Sequence, residues 1–191
     1  MNGMSSQKIA SRVFLTDWAL TWLEALLLLG SGALIVVLHQ SLRLPLGMPG
    51  WQGTGWMALL IAGRMSSRFR GAASVASVGA SLTSLVPMLR GGDSFMWLLY
   101  LLPGPVMDVA FYYLPRYANK LWFLVLLGGV AHITKPLIRL AINLITGWPF
   151  GSFRFGVEYP VTTHFLFGLI GGLLGALVVL GLHCVSQKSE A

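Results

Sequence analysis

Acidic side chains are scarce in this sequence. Six occur in 191 residues, against thirteen Lys and Arg, so only 10% of the chain is charged. Soluble domains carry about 25% charged residues, and this sparse set cannot cover a water-exposed surface. Together with 55% hydrophobic residues and a mean hydropathy of +0.74, that excludes an ordinary soluble enzyme, a disordered chain and a soluble nucleic-acid-binding domain. It implies a polytopic membrane protein. Cysteine occurs once, at Cys184, which excludes an internal disulfide and a cysteine-based zinc site. Near the end of the last apolar segment, Cys184 reads as a small buried hydrophobe. No glycine-rich stretch ends in Gly-Lys-Ser/Thr, so ATP binding through a Walker loop is excluded. There is no His-x-x-x-His or Glu-x-x-His metal pair, no serine in a nucleophile elbow, no row of arginines and no convincing internal repeat. No metal or other cofactor is therefore expected. No segment alternates with period two, which argues against a β-barrel. The first apolar run exceeds a signal-peptide core and lacks a small-residue cleavage site, so no cleavable leader is expected.

What is present is a series of apolar runs. A bilayer core about 30 Å thick needs roughly 20 apolar residues in a helix. Six candidates occur, at 16–38, 50–63, 72–89, 95–114, 121–146 and 161–185; the second is short. The expected fold class is all-α: a single six-helix transmembrane bundle over 16–185, between tails at 1–15 and 186–191. With the N-terminus inside, the cytoplasmic ends hold Lys8, Arg12, Arg64, Arg68, Arg70, Arg116, Lys120 and Lys188. The outer loops hold Arg43, Arg90 and Arg154. This positive-inside bias predicts that both tails are cytoplasmic. The excess of +7 thus orients the chain in a bilayer and does not signal nucleic acid.

The outer loops are apolar and aromatic. The first reads LPLGMPGWQG over 44–53, and the last, 147–160, holds Trp148, Pro149, Phe150, Phe153, Phe155 and Tyr159. Such loops either lie in the interface or fold over a cavity. Ionisable residues at membrane depth are rare and usually face a bundle interior. In the fifth segment His132, Lys135, Arg139, Asn143 and Thr146 fall on one narrow helical face, with Pro136 expected to kink the helix. This stripe faces a ligand, or else its bases snorkel and pair. In the fourth, Tyr100, Gly104, Asp108 and Tyr112 are four apart, and Pro103-Gly104-Pro105 breaks the helix just above Asp108. Asp108 is either a substrate contact or a fixed partner for a fifth-helix base, Lys135 being the nearer. In the first, Asp17 suits a helix start. Glu24 is open to three roles: proton carrier, cap or half of an ion pair.

Small residues mark close packing: Ala72, Ala76 and Ala80 in the third segment; Gly168, Gly171, Gly172 and Gly175 in the sixth. His164 begins the sixth at the level where the fifth-helix stripe ends.

The segment 44–52 leading into 56–63, the basic turn 64–71 and the glycine-rich 165–175 together resemble the substrate-capture (S) component of energy-coupling factor transporters. The resemblance covers most of the chain. It implies a subunit of the prokaryotic inner membrane that binds a vitamin or vitamin precursor in its outer half. It also implies partners: a transmembrane coupling subunit and two ATP-binding cassette ATPases. By the resemblance, Trp51 and Gln52 cap the substrate, and Arg139, Asn143 and His164 lie at pocket level. The family's coupling alanines sit in the first helix. Here that helix has Gly30, Gly32 and Ala33, and the alanine spacing falls at Ala72, Ala76 and Ala80, which become the candidate coupling surface. The start Met1-Asn2-Gly3 lacks a metal-binding histidine, so an organic solute is expected.

The expected ligand-binding set is Trp51, Gln52, Tyr100, Asp108, His132, Lys135, Arg139, Asn143 and His164. The two bases favour an anionic or strongly accepting group, and Trp51, Tyr100 and Trp148 offer surfaces for a ring. The competing expectation is a stand-alone proton-coupled or facilitative transporter using Glu24 and Asp108. For an enzyme, His132 with Asp108 is the one acid–base pair to consider, and none is expected.

Overall fold

The computed structural model describes residues 21–41, 48–89 and 93–189, with side chains as far as Leu182. The expectations for Asp17, Arg43, Arg90, the 1–15 tail, the first part of the 44–53 loop and the side chains of Cys184 and Lys188 lie outside the described residues.

The helices are α1 (Trp22–Ser41), α2 (Gly53–Ser66), α3 (Ala72–Ser84), α4 (Met96–Leu101), α5 (Pro103–Tyr113), α6 (Leu121–Thr146) and α7 (Glu158–Ser189). α6 has the bounds expected from its apolar run. It ends at Gly147, whose left-handed φ of 70° is easy only for glycine. α2 begins later than expected because Gly50, with φ 89°, bends the chain through a turn first. α3 ends at Ser84, short of residue 89; Pro87 disfavours helix for the residue before it. The fourth segment is broken at Leu102, directly before Pro103, and resumes with proline in the first turn of α5. α7 runs on through 186–189.

α4 and α5 follow one another with only Leu102 between them. One end of the bundle, here the upper, carries residues 48–53, 93–95 and 147–157. The lower end carries 67–71 and 114–120. α1, α6 and α7 are each long and apolar enough to cross a membrane. α2 and α3 have 14 and 13 residues, about 20 Å at 1.5 Å per residue.

The packing is that of a membrane protein. The exterior is apolar: Leu23, Leu26 and Leu27 on α1, Val130 and Leu137 on α6, and Leu174, Leu177 and Val178 on α7 are exposed. The interior holds Arg64, His132, Lys135 and His164 beside Trp56, Met57, Tyr100 and Met107. Helices meet where side chains are smallest. A Cβ at Gly128 would strike the carbonyl of Gly168, and one at Gly172 that of Leu124, so α6 and α7 touch backbone to backbone. Gly171 and Gly175 do the same for α7 on α2, against Thr54 and Ala58.

Gly32 of α1 lies on the backbone of Ala76 and Ala80 in α3. Ala72, Ala76 and Ala80 are buried. The alanine row is therefore not an exposed coupling surface. It is one side of the α1–α3 contact, where methyl groups let the backbones approach.

Candidate ligand-binding site

The upper end holds a cavity of about 460 Å³, lined by Met48, Pro49, Gly50, Trp51, Gln52, Arg139, Gly151, Ser152, Phe155 and Tyr159. Both aromatic loops thus fold over a cavity. The 48–53 turn is set by the left-handed Gly50 and closed by the Gly53 N–H donating to the Gly50 carbonyl at 2.9 Å. Trp51 and Gln52 sit at its tip. The 147–157 loop is fastened by aromatic edges, with Phe95 at 6.0 Å from Trp148 and 6.2 Å from Phe150. Trp148 packs there and is not among the cavity residues.

Of the expected set, Trp51, Gln52 and Arg139 line this cavity. Arg139 donates to Asp93 at 2.9 Å, and its guanidinium lies 5.7 Å from the Phe150 ring. Its charge is therefore matched within the protein. Asp93 also accepts from the Phe95 N–H at 2.9 Å and so ties α4 to α6.

Tyr100 and Lys135 lie deeper and connect to the cavity through His39, which sequence reasoning did not single out. With its proton on Nε2, His39 donates to Gln52 Oε1 at 2.5 Å and accepts from the Tyr100 hydroxyl at Nδ1, 2.6 Å away. The Lys135 ammonium sits 4.4 Å from the centre of the Tyr100 ring, a cation–π geometry. Lys135 is 6% exposed, and among the described residues it has neither a hydrogen bond nor an ion pair. Trp56 meets the same ring edge-on at 5.4 Å, and among the described residues its buried indole N–H has no acceptor; nor has Nε of Arg139. The region thus holds buried donors that no described acceptor meets.

His132 and His164 support the cavity wall without lining it. His132 Nδ1 donates to the His164 carbonyl at 2.9 Å, and His164 Nδ1 to the Pro160 carbonyl at 2.7 Å. A Cβ on Gly50 would strike the His164 ring, and one on Gly53 the His132 ring, so both imidazoles pack under the turn. Asn143 and Thr146 close the end of α6: Asn143 donates to the Trp148 carbonyl at 2.8 Å, and Thr146 accepts from the Trp148 N–H at 3.1 Å.

Asp108 stands apart from this group, at the lower end. Its partner is Arg64, at 3.1 Å, and not Lys135. It also accepts from the backbone N–H of Ala73 and Ser74 and from the Ser74 hydroxyl, at 3.3, 2.7 and 2.6 Å. These are the first-turn donors of α3, whose own N-cap, Gly71, offers no side chain. Asp108 thus caps a neighbouring helix. His132 and Asp108 have separate partners and form no acid–base pair. Glu24 accepts from the Ser67 hydroxyl. Both acids named for proton coupling are engaged in holding helix ends.

Comparison with family models, with curated proteins and with solved structures gives no match for this chain.

Proposed function

We propose that this chain is a membrane-embedded capture subunit for uptake of a small organic acid of the vitamin or vitamin-precursor class. It works with a transmembrane coupling subunit and two ATP-binding cassette ATPases in a prokaryotic inner membrane. In this reading it spans six times with both termini cytoplasmic. Arg64, Arg68, Arg70, Arg116 and Lys120 belong to the lower end, which the positive-inside rule assigns to the cytoplasm. The cavity then opens outward.

The observation that carries the ligand class is Lys135. A buried cation with no anion costs several kcal/mol after relaxation, and a single aromatic face offsets only about 2 kcal/mol of that. A carboxylate arriving from the cavity supplies the missing charge and accepts from the unmet donors. Arg139, already matched by Asp93, orients the ligand more than it neutralises it.

The test is binding of a labelled panel of water-soluble vitamins and small organic acids, each beside its neutral amide, to the purified reconstituted protein. Acids should bind and amides should not. Lys135→Met should weaken acid binding about 10- to 100-fold, the worth of one charge-assisted hydrogen bond. It should also raise the melting temperature of the ligand-free protein, because a buried unpaired charge is removed. Equal binding of acids by wild type and Lys135→Met would overturn the reading.

A further inference from the structure

A second cavity of about 500 Å³ adjoins the first. Its walls are Ile35 and Leu38 of α1, Thr54 and Gly55 in the first turn of α2, and Phe167 and Ile170 of α7. Leu38 and Ile170 are exposed on the apolar exterior, so the groove opens sideways, toward the hydrocarbon of a bilayer. Its polar end is formed by His39 and Gln52, and Trp51 and Gln52 line both cavities. The apolar groove and the polar cavity thus meet at Trp51 and Gln52, and Gln52 leads through His39 and Tyr100 to Lys135.

We propose that the ligand is an amphipathic monoanion, its acidic head in the polar cavity and its hydrocarbon arm in the α1–α2–α7 groove. The inference rests on the polar cavity being the binding site. It goes further by giving the ligand two chemically distinct halves. The charges among the described residues favour one acidic group: Arg139 and Asp93 pair, leaving Lys135. The groove favours an apolar arm, because among its described residues the polar side chains besides Thr54 are those at the end nearest the head. A wholly polar solute would leave this groove without a role, and a lipid chain would gain nothing from the His39 and Gln52 end. Each half has the volume of a small-molecule site.

The probes are butanoate, octanoate and octanol. Binding is measured by equilibrium dialysis against protein in nanodiscs, with empty nanodiscs as the blank. Octanoate should bind more tightly than butanoate, by up to about fourfold for each methylene that enters the groove, and octanol should bind weakly. Ile170→Trp and Leu38→Trp, which fill the groove from opposite lips, should each leave octanoate binding no tighter than butanoate. If butanoate and octanoate bind alike, if the chain-length gain survives both variants, or if octanol matches octanoate, the inference falls while the polar site stands. If neither acid binds the wild-type protein, the reading of the polar cavity falls with it.

Discussion

Asp108 and Lys135 show how two buried charges in one molecule take opposite roles. Asp108 is saturated: a guanidinium, two backbone N–H groups and a hydroxyl converge on its carboxylate. Removing one partner of such a pair leaves the other buried and uncompensated, which costs about 3 kcal/mol. Asp108→Ala should therefore lower the melting temperature of the detergent-solubilised protein clearly, while the fraction that stays folded binds its ligand with unchanged affinity. Reduced affinity with unchanged stability would assign Asp108 to the site instead. Lys135 is the reverse case, a charge the fold leaves unmatched. The sequence made both residues conspicuous by depth alone. It did not identify Arg64 as the partner of Asp108, because the break at Leu102 and the length of α3 decide which side chains meet. His39 was missed because a histidine just past the apolar run 16–38 looks like an ordinary interfacial residue. Its importance comes from Gln52 and Tyr100, which only the folded chain brings to its two nitrogens.

At the scale of elements, the helices are held by surfaces nearly without side chains. α6 and α7 meet at Gly128, Gly168 and Gly172, and in a bilayer such contacts replace the hydrophobic drive that lipid cannot supply. Gly172→Val should force α6 and α7 apart and destabilise the protein by about 1–3 kcal/mol, as overpacking does. Gly181→Ala, where nothing lies within 4 Å, should cost nothing and add up to about 1 kcal/mol of helix propensity. Thermal unfolding in one detergent reads both. The glycine spacing of α7 was legible in the sequence as a packing face. The alanine spacing of α3 was equally legible, but spacing cannot say whether a smooth face meets another helix of the same chain or a separate subunit. Gly32 on α1 is what assigns it inward. The bounds of α6 were readable at both ends because Lys120 and Gly147 punctuate it; those of α2 and α3 were not, because a left-handed glycine and a proline lie inside the apolar runs.

For the whole molecule, the distribution of basic residues makes the two ends distinguishable by experiment. In a Cys184→Ser background, Ser152→Cys at the upper end should react with a membrane-impermeant maleimide added outside sealed cells. Arg116→Cys at the lower end should react only after the membrane is opened. The opposite pattern would invert the orientation and place the cavity toward the cytoplasm. Composition was sufficient for an all-helical membrane protein, since too few charges remain to wet its surface. The two-loop cover over the cavity was foreshadowed by aromatic loops, but only the packing of Phe95 against Trp148 and Phe150 separates a lid from an interfacial belt.

The unequal lengths of the helices have a consequence for the surrounding lipid. α6 spans about 39 Å and α3 about 20 Å, yet both carry exposed apolar side chains, Val130 and Leu137 on one and Val78 and Leu82 on the other. In the six-span reading proposed above, lipids beside α3 meet a lower wall than those beside α6, and the bilayer is expected to thin on that flank. The molecule thus carries a thickness gradient around its circumference, and acyl-chain length becomes a variable that sets which way it leans.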